Sequence, residues 1–133
     1  MDKKMSAREA KYEAQKIAFA PFYFQATLAL KELGVLESIA QHRAGIGLNA
    51  LKESTGLSLY GLKILLEAGL VSNLIEQDAH QKYSLTIVGQ FIRSDRMTEV
   101  NMNFTKDVCY EGLAHFKESI IEGKPEGLKV FGN

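Results

Sequence analysis

The stretch that determines the fold class is LNALKESTGLSLYGLKILLEAGLVSNLIEQDAHQKYSL, residues Leu48–Leu85. Its first part predicts two short helices, one capped by Asn49 and stopped by Gly56, the other capped by Ser58 and stopped by Gly69. Leucines recur along the second helix at the spacing of a buried face. Two helices packed on a common core are therefore expected here.

Two β-prone runs, Val71–Glu76 and Lys82–Leu85, follow these helices and are separated by the five polar or small residues Gln77–Gln81. This pattern predicts a hairpin. Leu36, Ile39 and Ala40 mark a further short helix upstream. Three short helices followed by a hairpin predict a mainly α protein with a winged-helix core.

Longer helices are predicted on the N-terminal side of this core. Ser6-Ala7-Arg8-Glu9 has the form of a capping box, which predicts a helix start. Pro21 should bend or restart that helix, and Phe22–Leu33 should continue as a second one that ends at Gly34.

Helices are also predicted on the C-terminal side. Thr86 can cap one, and Thr98 can begin a short one that runs to Phe104. A single long helix ending at Gly123 is expected from apolar residues at spacings of four, three and four, namely Cys109, Leu113, Phe116 and Ile120.

The composition describes an ordinary globular protein. Sixteen Lys and Arg balance sixteen Asp and Glu over 133 residues, and a chain of this size does not build two sizeable cores. A single cysteine excludes an internal disulfide framework and suggests a reducing, cytoplasmic compartment. We expect no membrane-spanning helix and no secretory signal, because the longest apolar run, Ile17–Phe24, is short and interrupted by Pro21.

Neither a nucleotide loop nor a metal site is expected. Gly45-Ile46-Gly47 has the letters of a dinucleotide fingerprint, but a helix rather than a strand precedes it, so we interpret it as a turn leading into the core. His42, His80 and His115 lack the mutual spacing of metal ligands on one helix. We interpret His42 and His80 as solvated, and His115 as exposed, structural or bordering a pocket.

A winged-helix core raises the alternative of a DNA-binding transcriptional regulator. The charges across the predicted third helix and the hairpin argue against it. Lys52 and Lys63 are balanced by Glu53 and Glu67 in residues 46–70, and residues 71–93 are likewise neutral. A protein that neutralises several phosphates needs clustered cations.

Apolar residues are in excess at both ends of the chain. Near the C-terminus Leu128, Val130 and Phe131 have no predicted element to cover them. Near the N-terminus the candidate residues for an interface surround their helix: Phe19, Phe22, Tyr23, Phe24, Leu28 and Leu30. We expect them to meet a second copy, a downstream domain, or both.

The order of four segments resembles the N-terminal region of class I S-adenosylmethionine-dependent methyltransferases of the O-methyltransferase type. The segments are ATLALKELGVLESI, LNALKESTGLSLYGLKILLEAGLV, KYSLTIVGQFI and YEGLAHFKESIIEGKPEGLKVFG. The resemblance implies dimerisation helices over residues 1–34, a winged-helix core over 35–93, and C-terminal helices over 94–133. It implies a homodimer whose subunits are followed by a Rossmann-like catalytic domain.

The resemblance also bears on chemistry. Tyr110 matches a pocket position of the family, Leu113 replaces a common Trp, and His115 lies near them, so Tyr110 and His115 are candidates for contact with a small-molecule substrate. The family's glycine-rich cofactor loop, its acidic ribose partner and its catalytic base have no counterpart in this sequence. We therefore expect this chain to be non-catalytic and to bind no cofactor, with S-adenosylmethionine used by the parent enzyme.

Overall fold

Two consecutive helices form the N-terminal part of the molecule. The computed structural model describes residues 4–132, in which α1 spans Ala7–Ala18 and α2 spans Ala20–Glu32. The predicted capping box is confirmed: the Glu9 amide donates to Ser6 Oγ and the Ser6 amide donates to Glu9 Oε2, both at 3.1 Å. Pro21 lies in the first turn of α2, where its missing N–H is tolerated, so the chain restarts there as predicted.

Three helices and a hairpin follow. Helices α3, α4 and α5 span Val35–Ala40, Leu48–Thr55 and Leu59–Val71, and the strands β1 and β2 span Ile75–Gln77 and Tyr83–Leu85. The strands are antiparallel, with Ile75 opposite Leu85. The mainly helical class with one small antiparallel sheet is thus as predicted.

Two local predictions in this region are corrected. Gly47, not Asn49, precedes α4, because the helix begins at Leu48, whose side chain packs against the core. Val71 belongs to α5 rather than to a strand, and α5 does not stop at Gly69 as predicted, since the helical hydrogen bonds continue until the Ser72 amide donates to the Ala68 carbonyl. The cap on α5 is confirmed: the Gly61 amide donates to Ser58 Oγ at 3.0 Å.

The core of residues up to Arg93 lies between α2, α3, α4, α5 and the hairpin. Helix α6, Ile87–Ser94, closes on the hairpin at Gly89, where an added Cβ would lie 2.1 Å from the Leu74 carbonyl oxygen. The Gly89 amide donates to Thr86 Oγ1, which confirms the predicted cap. The most deeply buried apolar side chains are Leu30, Val35, Leu36, Ile39, Leu51, Leu62, Leu66 and Ile75.

The residues from Ser94 onward form a second compact unit. Its first helix, α7, spans Arg96–Phe104 and is capped by Asp95, which accepts hydrogen bonds from the amide and hydroxyl of Thr98. Thr98 is therefore the residue bound by the cap rather than the residue that starts the helix. Asp95 is the N-cap of α7 because it lies three residues before Thr98, where its carboxylate can accept a hydrogen bond from the Thr98 amide.

The single long helix predicted after Phe104 is wrong. A π-helical turn, Thr105–Cys109, is followed by a 3₁₀ turn, Gly112–His115, and only then by α8, Phe116–Glu122. A last 3₁₀ segment, Glu126–Phe131, packs on the first one. The two segments meet at Gly112 and Gly127, where an added Cβ on either residue would lie within about 3 Å of the other's carbonyl oxygen. Irregular turns that pack closely at these two glycines are therefore present where a regular helix was predicted.

Candidate functional sites

Helix α1 is the first candidate interaction surface. None of its residues is buried, although its sequence carries apolar positions at helical spacing. Ile17 is 79% exposed and Tyr12 is more than half exposed. A helix of twelve residues is marginal on its own in water, so its stability depends on what covers it.

The beginning of α2 extends this surface. Phe22 is 71% exposed, and its ring packs edge-to-face on Phe19, with the centroids 5.9 Å apart. Tyr23 and Phe24 are half-buried. Large aromatic side chains of this kind carry much of the energy of protein interfaces.

The later part of α2 has a different environment. Leu30 is fully buried and Leu28 nearly so, because this half of α2 packs along α5 and α3. These two residues therefore leave the candidate contact surface, which narrows to Phe19, Phe22, Tyr23 and Phe24. The apolar residues do surround α2, but its first half faces outward and its second half faces the core.

A groove of about 260 Å³ lies beside this surface, between α1, α2 and the end of α5. Tyr12 and Lys16 of α1 form one wall, and the Lys16 ammonium lies 4.7 Å from the centre of the Tyr12 ring. Tyr23 of α2 and Val71 of α5 also line the groove. The exposed face of α1 is thereby continuous with the outer end of α5.

The second unit contains an apolar cavity, also of about 260 Å³. The predicted stripe on Cys109, Leu113 and Phe116 faces it despite the irregular backbone. The last 3₁₀ segment, Glu126–Phe131, also lines the cavity through Leu128 and Phe131. The expectation that these two residues belong to no structural element is therefore wrong. The remaining lining residues are Val108, Gly112, Ser119, Pro125 and Gly127.

Ion pairs between a buried carboxylate and two exposed lysines lie in the segment that borders this cavity. Glu126 is only 3% exposed, and its carboxylate pairs with Lys129 and, at 3.5 Å, with Lys124. Its amide donates to Ser119 Oγ at 2.9 Å. The hydrogen bond from Lys129 lowers the pKa of the Glu126 carboxyl, and the same contact raises the pKa of Lys129.

Tyr110 and His115 do not contribute to the lining of this cavity. Both are half-buried, Tyr110 after the π turn and His115 at the end of the first 3₁₀ turn. The His115 ring nitrogen Nδ1 lies 3.4 Å from Glu118 Oε1. Sequence reasoning missed Gly112 and Gly127 as the residues that shape the cavity. The signal available for them was the presence of two glycines flanking a helix stop.

The Gly45-Ile46-Gly47 turn has a structural role in the first unit. Ile46 exchanges both backbone hydrogen bonds with Tyr83, at 3.0 and 2.8 Å, and Gly45 has a φ of +104° against the Lys82 side chain. Its central residue is thus paired with the hairpin through both backbone groups, and the Ile46 side chain is buried in the core. The interpretation as part of the core is confirmed.

The other sequence candidates are also placed. The His42 ring donates from Nδ1 to the Ser38 carbonyl, and His80 lies in the hairpin loop, where its amide donates to Asp78. Within residues 4–132 no three His, Cys, Asp or Glu side chains approach closely enough to bind a metal ion. No helix in that range is long and apolar enough to cross a bilayer.

Comparison with protein families identifies residues 11–83 as a Dimerisation2-like domain. The chain belongs to the Dimerisation2-like domain family. The match runs from the second turn of α1 to the first residue of β2, and so includes the residues that line the groove and most of the core of the first unit. Searching curated protein sequences gives no significant match.

Three solved structures that share the fold of this Dimerisation2-like chain come from methyltransferases or biosynthetic proteins. The pyocyanin biosynthetic protein PhzM has a TM-score of 0.73 at 14% identity, over 93% of this chain and 37% of that one. Human N-acetylserotonin methyltransferase in complex with SAM has a TM-score of 0.72 at 19% identity, over 100% and 40%.

An O-methyltransferase from neocarzinostatin biosynthesis in complex with S-adenosyl-L-homocysteine has a TM-score of 0.53 at 21% identity. It matches over 83% of this chain and 37% of its own length. The chain therefore spans about two-fifths of the length of these relatives.

Proposed function

We propose that this chain is the dimerisation part of an S-adenosylmethionine-dependent small-molecule methyltransferase and is non-catalytic by itself. The proposal rests on α1, none of whose residues is buried, in a chain that belongs to a dimerisation family. Such a helix needs a partner surface, and a second copy of the chain supplies one. The homodimer is thus the first element of the proposed function.

The energy available for dimerisation comes from the exposed aromatic and aliphatic side chains at the start of the chain. Fully burying a side chain such as Ile17 or Phe22 contributes about 1.5–3 kcal/mol. Several of these contacts offset the translational and rotational entropy lost on association. Because the dimer is homomeric, each favourable contact occurs twice around a two-fold axis.

The methyltransferase part of the proposal rests on fold likeness to the three proteins above and on the order of the four sequence segments. We assign residues 1–34 and 94–133 to helices that flank a winged-helix core over 35–93. A Rossmann-like catalytic domain in the parent polypeptide would bind S-adenosylmethionine. The cytoplasm is the compartment that fits its free cysteine.

The apolar cavity of the second unit supports a role next to the methyl acceptor. Its lining carries no ionised side chain, so it suits an uncharged portion of a small molecule. Tyr110 and His115 are proposed to contact the acceptor from outside this lining. Removing either side chain from the full enzyme should raise KM for the acceptor while the affinity for S-adenosylmethionine stays unchanged.

Sedimentation velocity of the 133-residue chain tests the dimer directly. We expect a dimer at tens of micromolar, and a shift to monomer for Phe22→Ser, because the substitution removes an exposed aromatic contact from each side of the two-fold interface. Phe91→Ser is a matched control, since Phe91 is an exposed aromatic residue on α6 rather than on the α1–α2 surface. A wild-type chain that remains monomeric would refute the proposed function.

A further inference from the structure

The outward face of α5 is apolar where an amphipathic helix is normally polar. Leu62, Leu66 and Gly69 face the core. Tyr60, Ile64, Glu67 and Val71 follow at intervals of four, three and four residues on the opposite side, and all four are exposed. We call these four residues the α5 outer stripe. Tyr60 is 79% exposed.

The α5 outer stripe is continuous with the surface proposed for dimerisation. Val71, its last residue, shares the groove with Tyr12 of α1. The stripe runs from this groove along α5 for about 16 Å, given a rise of about 1.5 Å per residue. A second copy that covers α1 is therefore close enough to cover α5 as well.

The charges on this face are self-complementary. Lys63 flanks the stripe and Glu67 belongs to it; both are exposed, and neither forms an ion pair within the part of the chain that the structure describes. In a two-fold interface residue i meets residue j of the partner, and j meets i. Two antiparallel α5 helices centred near Leu65 would place Lys63 opposite the other copy's Glu67 twice.

The apolar residues agree with the same centre. Tyr60 and Val71 lie nearly equidistant from residue 65, so each Tyr60 would meet the other copy's Val71, and Ile64 would lie close to the two-fold axis. The charged and apolar positions thus select one register. We infer that the α5 outer stripe pairs with its own copy in the dimer, antiparallel and across the two-fold axis. This inference rests on the proposed homodimer and adds a specific contact to it.

Mixing two charge variants tests the contact. The Lys63→Glu chain carries acids at both positions, and the Glu67→Lys chain carries amines at both. Each homodimer then has repulsive cross-pairs, whereas the heterodimer has only attractive ones. Pairs within one helix remain repulsive in every species, so preference for the heterodimer reports the contact between copies.

Labelling one chain with nitrogen-15 and recording native mass spectra gives the three dimer populations. We expect the squared heterodimer concentration, divided by the product of the two homodimer concentrations, to exceed its statistical value by at least about tenfold, since several charge pairs change from repulsive to attractive together. The control is Lys52→Glu mixed with Glu53→Lys. These residues are exposed on α4, and the two chains carry the same net charges as the test pair.

The outcomes are distinct. Enrichment in the test pair and not in the control supports the α5 contact. Equal enrichment in both pairs shows only long-range attraction between oppositely charged chains and overturns it. Statistical mixing of stable dimers also overturns it and leaves the proposed dimerisation intact. A wild-type chain that forms no dimer refutes the proposed function itself.

Discussion

The two compact units of this chain are stabilised in different ways. Among residues 4–132, all of the buried apolar side chains except Met102 belong to the first unit. The second unit has instead an ion pair between the buried Glu126 and the exposed Lys129, a contact between two glycine backbones, and an apolar cavity that remains accessible. The first unit therefore has the core of an independently stable domain. The second depends on a few specific contacts and on what covers its apolar residues.

The largest expected effect on the free energy of unfolding comes from a leucine-to-alanine substitution, and it should differ between the two units. Leu62→Ala removes a fully buried side chain from the first unit and should lower its free energy of unfolding by about 2–5 kcal/mol. Leu113→Ala removes a half-exposed side chain and should cost less than about 1 kcal/mol. Hydrogen exchange followed by mass spectrometry measures both units in the same sample. Similar costs at the two sites would contradict the comparison.

Close backbone packing gives the next effect. Gly89→Ala would place a Cβ 2.1 Å from the Leu74 carbonyl oxygen, so α6 must move away from the hairpin, at a cost of about 1–3 kcal/mol. Gly61→Ala is the matched control on α5. There the nearest atom is Ser58 Oγ at 3.2 Å, and the gain in helix propensity offsets the crowding. Urea denaturation should show a lower midpoint for Gly89→Ala alone.

These contacts show which parts of the fold were predictable. The caps at Ser6, Ser58 and Thr86 act within three residues and were predicted from the local sequence. The starts predicted at Asn49 and Thr98, in contrast, were wrong because Gly47 and Asp95 precede those helices. Gly89 and Leu74 are far apart in sequence, and no local sequence pattern around either residue predicts their contact. The same holds for Gly112 and Gly127, whose contact accompanies the irregular segment that replaced the predicted long helix.

The candidate interaction surface and the cavity were also predictable only in part, because local periodicity does not reveal tertiary contacts. Periodicity identified α2 as apolar on all sides, but it does not say which half packs on α5. Only the tertiary structure separates Phe22, which is exposed, from Leu30, which is buried. The cavity residues Cys109, Leu113 and Phe116 were found as a stripe because their spacing survives the π and 3₁₀ turns.

Acidification should affect the second unit through Glu126. The Lys129 contact lowers the pKa of Glu126 below its ordinary value of 4.5 and raises that of Lys129 above 10.5. The carboxylate contributes stability above pH 4.5 and loses it as the pH falls through its lowered pKa. The ammonium contributes below 10.5 and loses it as the pH rises through its raised pKa.

We therefore expect faster hydrogen exchange in residues 112–131 as the pH falls below about 4.5, after correction for intrinsic rates. Glu126→Gln should remove most of this acid-dependent change. Asp95 also has a lowered pKa, through its bonds to Thr98, so Asp95→Asn is needed to separate loss of the α7 cap. An unchanged acid response in Glu126→Gln would exclude the ion pair as its cause.

The smallest expected effect compares the same cap on two helices. Ser58→Ala removes the cap of α5 and should lower the free energy of unfolding of the first unit by about 1 kcal/mol, because α5 is part of the core. Ser6→Ala removes the equivalent bond from α1. Since α1 buries no residue, it can fray without opening the core, and urea unfolding of the monomer should change by less than about 0.5 kcal/mol. The loss should appear instead as a several-fold weaker dimer in sedimentation equilibrium, because α1 must be helical to form the proposed interface. A dimer of unchanged affinity, with α1 shown to be frayed by hydrogen exchange, would place the interface elsewhere.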